Sequence, residues 1–125
     1  MQVIPQNDGA MMELDPQEIG HLNNALNEVC NGFSVANFEA AIGIRQEEAR
    51  KLLCRIHELH SSEPLNLNLS EIDALRHSLT AVLIGLEPWE YPVRMGFEVV
   101  ETQKLRARLD ALASAIRNGS LRQSA

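Results

Sequence analysis

Residues 18–33, EIGHLNNALNEVCNGF, and residues 71–86, EIDALRHSLTAVLIGL, decide how this chain is read, because the second stretch restates the apolar frame of the first. Ile19, Leu22, Leu26, Val29 and Phe33 fall on Ile72, Leu75, Leu79, Val82 and Leu86 at a constant offset of 53 residues. Spacings of three and four lay each set along one stripe of a helix. Carried on without a gap, the offset sets Gly43 on Gly96, Glu48 on Glu101, Lys51 on Lys104, Leu52 on Leu105 and Arg55 on Arg108. A period of this kind reads as an internal repeat. It predicts an all-α fold: an internally duplicated pair of three-helix units, about six helices, packed around one shared core with pseudo-twofold symmetry. One unit is near the size, roughly 40 residues, below which a chain seldom folds unaided, so each greasy stripe needs its counterpart.

Local signals supply the boundaries. Asp15, Pro16 and Glu18 make a helix start, with a capping oxygen, a proline where its missing N–H is harmless and an acid to close the box. Helices are expected over 16–31, over about two turns following Ser34 as N-cap and ended by Gly43, over 46–60, over 69–84, from Glu87 to about Met95 and over 99–117. Pro92 limits the fifth to a short or kinked piece. On the first helix, His21, Asn24, Asn27, Glu28 and Asn31 lie opposite the stripe and read as a solvated side. No alternating β pattern is read anywhere. The organisation expected is a flexible arm at 1–12, one all-α domain over 13–119 made of repeats 13–60 and 66–117 joined through Ser61–Pro64, and a frayed end at 120–125.

At 125 residues and 45% hydrophobic, the chain suits a single domain with one core. Its net charge of −6 repels phosphate backbones and anionic lipid, which disfavours nucleic acid and membrane surfaces as partners. No apolar run reaches the roughly 18 residues of a membrane span. Cys30 and Cys54 align with Leu83 and Ala107 at the same offset, so both read as packing thiols and not as a disulfide. With no signal peptide in sight, the expected compartment is the cytoplasm.

Four constellations could carry chemistry. Around Gly43, the apolar residues Phe38, Ile42, Ile44, Ala49 and Leu52 resemble a DNA-binding helix-turn-helix, a likeness that covers about 20 residues and departs at Glu39. That resemblance implies a transcriptional regulator using residues 35–60, with Arg45, Gln46, Arg50 and Lys51 facing the major groove. Cys54, His57 and His60 recur every three residues, but six residues turn a helix through about 120°, so the outer two diverge and no metal site is expected. No nucleophile elbow, phosphate-cradling loop or paired-metal signature is found, and neither an enzyme nor a cofactor is expected. The fourth is Pro88-Trp-Glu-Tyr-Pro-Val-Arg94, where the only tryptophan and the only tyrosine sit beside an arginine. Those residue types dominate interaction hot spots, so Trp89, Tyr91 and Arg94 are the expected partner-binding residues, the other reading being that Trp89 and Tyr91 cap the core between the repeats, Tyr91 falling on Phe38. The function expected is a small, acidic, non-catalytic adaptor that binds a protein partner or itself, the DNA-binding regulator being the alternative.

Overall fold

The computed structural model describes residues 1–60 and 63–119. Its elements are β1 (Gln2–Gln6), β2 (Gly9–Glu13), α1 (Pro16–Asn27), a π-helical turn continuing α1 at Glu28–Gly32, α2 (Phe38–Ile42), α3 (Gln46–His57), β3 (Leu65–Asn68), α4 (Leu69–Gly85), α5 (Tyr91–Met95) and α6 (Val99–Arg117).

The all-α expectation is corrected. The described residues are 65% helical with six helices, but they also form a three-stranded antiparallel sheet in the order β1-β2-β3. The expected flexible arm at 1–12 belongs to a hairpin over residues 2–13 turned by Asn7 and Asp8, with Gln6 opposite Gly9. In and just after β2, alternation puts Ala10, Met12 and Leu14 into the core. β3 has the same period, with Leu65 and Leu67 buried and Asn66 and Asn68 exposed. β3 pairs with β2, Gly9 facing Asn68 and Met12 facing Leu65. The approach at Gly9 is close enough that a Cβ there would lie 2.0 Å from the Leu67 carbonyl oxygen. The pseudo-twofold six-helix duplication is likewise not shown. α2 and α5 do begin 53 residues apart, as do α3 and α6. Equal spacing alone does not establish a duplication, and the β1 hairpin strand has no partner at that offset.

The helix starts are those the caps dictate. Asp15 accepts from the Glu18 backbone N–H at 2.8 Å while Glu18 reaches back to the Asp15 N–H at 2.9 Å. Asn68 and Glu71 make the same exchange at the head of α4. Each such cap contributes about 1 kcal/mol. Gly43 and Gly96 end α2 and α5 in the left-handed region, at φ 103° and 74°, where a side chain would be strained.

α4 is the central element: it packs on α1, α2, α6, β2 and β3. Its stripe of Ile72, Leu75, Leu79 and Val82 is buried, and Leu22, Leu26 and Val29 of α1 and its turn face the same interior. Asp73 clamps α4 to α6 through Arg117 and also holds Arg76, which reaches Asp110 of α6 at 3.1 Å. Burial would raise the Asp73 carboxyl, but the two guanidinium groups outweigh it and hold it below its usual range. No helix among the described residues is long and apolar enough to cross a membrane. The Ser61-Ser62 part of the expected connector and the expected frayed end at 120–125 lie outside the described residues.

Candidate functional site

The α4–α5 corner is built by the backbone. Leu86 leaves α4 in extended conformation, and the N–H groups of Glu90 and Tyr91 both donate to the Glu87 carbonyl at 3.0 Å, so the chain is already turning helically before α5 begins. Trp89 and Val93 therefore stand one turn apart on the same side. That side faces outward: Trp89 is 76% exposed and Val93 82%. Tyr91 lies two residues off, on the opposite side, and is 1% exposed. The three residues expected to act together are thus separated by the helix itself. Arg94 spans the corner, pairing with Glu28 of the π-helical turn and, at 3.7 Å, with Glu90. Ile84, on the outer side of α4, is exposed as well.

The four residues of the helix-turn-helix resemblance fall into two pairs. Gln46 and Arg50 converge on the Cys30 carbonyl, at 3.1 and 3.5 Å, and so fasten α3 to the π-helical turn. Arg45 and Lys51 remain on the outer face, Arg45 bonded to Glu48 at 3.1 Å and Lys51 lying 3.7 Å from Glu47. Cys30 is buried, and that burial, against the pull of Arg50, raises its thiol pKa. Both cysteines are free. Cys54, His57 and His60 are exposed, and no group of three or more His, Cys, Asp or Glu among the described residues is placed to hold a metal ion.

A third place was not anticipated. Between α1 and α6 lies a cavity of about 660 Å³, lined among others by Glu18, His21, Phe97, Glu101, Lys104 and Arg108. His21 and Glu28, read as solvated, are buried, and Asn24 donates to the Met95 carbonyl at 2.8 Å. The imidazole of His21 stacks on Phe97 with ring centres 4.2 Å apart, and its Nε2 lies 2.6 Å from the Thr102 hydroxyl. Thr102 also bonds the Tyr91 hydroxyl. Glu18 is held by Arg108. Burial lowers the His21 pKa, with Glu101 pulling it the other way, and burial raises that of Tyr91 against its hydrogen bond with Thr102. One sequence signal pointed here: Thr102 occupies the first place of the buried stripe continued by Leu105, Leu109, Leu112 and Ile116, and a hydroxyl in such a stripe needs a polar partner. Compared with family models, with curated proteins and with solved structures, the chain matches none of them.

Proposed function

We propose that this chain is a non-catalytic protein-interaction module of the cytoplasm that docks a protein partner through the outer face of α5. The observation that carries the reading is the exposure of Trp89, with Val93 one turn further on the same side. Tryptophan is the side chain most enriched at interface anchors, and leaving one in water forgoes its burial. Charge selects the partner. Glu87, near the apolar pair in sequence, is exposed and the whole chain carries −6, so a partner segment with Lys or Arg around an apolar seat complements it. A second copy would bring like charges together, which favours a different protein over self-association. Arg94, occupied by Glu28 and Glu90, orients α5 and does not reach outward. The DNA-binding alternative has less support: of its four residues, Gln46 and Arg50 are taken up by the Cys30 carbonyl and Arg45 and Lys51 stand beside glutamates.

The test is a Trp89→Ala, Val93→Ser double variant, whose melting temperature should match the native protein because neither side chain is in the core. Affinity for a partner isolated from the native cells, measured by calorimetric titration, should fall by roughly 30-fold or more, and the native interaction should weaken with salt. Unchanged affinity in the variant would sink the reading. Loss of a dimer in its place, seen by light scattering, would reassign the face to self-association.

A further inference from the structure

We propose that Tyr91, Thr102 and His21 form a proton-operated latch: while His21 is neutral the three side chains close one hydrogen-bond chain that pins α5 to α6 and α1, and protonation of His21 breaks that order and loosens α5.

The directions of the bonds follow from counting hydrogens. Tyr91 is 1% exposed and Thr102 fully buried, and among the described residues the Tyr91 hydroxyl has no partner but Thr102. Among the described residues the Thr102 hydroxyl bonds only Tyr91 and His21. Tyr91 must therefore donate to Thr102, because the reverse leaves a phenolic hydrogen buried without an acceptor. Thr102, having received, donates its single hydrogen to Nε2 of His21. The imidazole is then an acceptor at Nε2 and carries its hydrogen on Nδ1, which bonds no described residue and belongs to a ring lining the α1–α6 cavity, where solvent can meet it. In this order both hydroxyl hydrogens have acceptors within the trio, and the Nδ1 hydrogen faces solvent in the cavity.

A second proton must end on Nε2. Nε2 then becomes a donor to Thr102, the Thr102 hydrogen turns to the Tyr91 oxygen, and the Tyr91 hydrogen is left with nothing to bond. Both contacts survive in reversed order, but a buried phenolic hydrogen is stranded without an acceptor, and that cost weakens the hold on α5. The charged groups at the cavity are Asp15, which caps α1, Glu18 on α1, Glu101, Lys104 and Arg108 on α6, and the Met1 amino group, three of each sign, with Glu18 engaged by Arg108 and lying 3.2 Å from the Met1 amino group. Glu101 favours the imidazolium, burial of the ring opposes it, and α5 contributes no charge that faces the ring. The Asn24 bond to the Met95 carbonyl does not titrate, so α5 loosens without leaving. Since α5 carries Trp89 and Val93, partner docking becomes proton-sensitive; that consequence rests on the docking reading, whereas the latch does not.

Nitrogen-resolved NMR of the imidazoles, with amide exchange of α5, tests this on the intact chain without a partner. At about pH 7.5 His21 should be the Nδ1–H tautomer, and α5 exchange, corrected for its intrinsic pH dependence, should rise at least tenfold by about pH 5.5. Tyr91→Phe, which removes only the hydroxyl, should leave α5 equally fast at both pH values. Thr102→Ser, which keeps the hydroxyl, should behave as the native chain. An Nε2–H tautomer at neutral pH, or His21 titrating with α5 exchange unmoved, would overturn the latch. A responsive α5 alongside pH-independent partner affinity would support the latch and count against the docking reading alone.

Discussion

A histidine held 4% exposed between two helices makes the protein acid-sensitive in a direction that can be worked out. In the unfolded chain His21 titrates near 6.5, while in the fold burial, only partly offset by Glu101, lowers its pKa. Below about pH 6.5 the unfolded state therefore takes up a proton that the fold refuses, and stability present above that pH is lost as it falls. The urea midpoint should decline between about pH 7 and about pH 5.5. In His21→Asn the midpoint should start lower and stay flat across the same window. Gly9 supplies a second residue-scale prediction. With a Cβ only 2.0 Å from the Leu67 carbonyl oxygen, Gly9→Ala must push β2 away from β3. The expected loss is roughly 2 to 4 kcal/mol in denaturant unfolding, and a neutral result would show that the strands part easily. Gly9 showed only as part of a turn cue, and His21 did not announce itself in the sequence. His21 is the immediate neighbour of Leu22, and whether such an edge position is wet depends on what lies across it, which is Phe97 and Thr102 from the far half of the chain.

Among the elements, the helices were legible and the sheet was not. Caps and three-four spacing are local, which is why α1 begins at the residue its capping signal names and α3, α4 and α6 begin at 46, 69 and 99 as expected. The strands are short and weakly coded. Leu65-Asn-Leu-Asn68 alternates for only four residues and runs straight into an N-cap, while β2 is spelled with glycine, alanine and methionine, which have little strand preference. A hairpin cue was present in Asn7-Asp8-Gly9, but two strands alone are marginal, and it is β3 that gives the hairpin a third strand. If the hairpin is structural, deleting residues 1–12 should strip cover from Leu65 and Leu67 and remove the bond from the Leu69 N–H to the Asp8 carbonyl. The melting temperature should then drop by about 10 °C in a calorimetric scan. A loose arm would leave it where it was.

For the molecule as a whole, α4 is the piece on which both halves depend. It packs on α1 and α2 from the first half and on α6 from the second, and β3, which leads into it, completes a sheet begun at the other end of the chain. A fragment of residues 1–62 lacks both, so it should show little helix by circular dichroism, and an equimolar fragment of 63–125 should restore it. Cooperative melting of the first fragment alone would mean that the halves are independent. By itself the sequence determined the helices, their caps, the glycine corners at Gly43 and Gly96 and which stripe of each helix is apolar, because these are set by residues within a turn or two of one another. Only the tertiary structure decided that β2 and β3 pair, that Trp89 faces water while Tyr91 is buried, and that His21, Tyr91 and Thr102 meet. Those outcomes depend on contacts between residues up to 81 apart, and sequence spacing carries no information about which distant groups will share one interior.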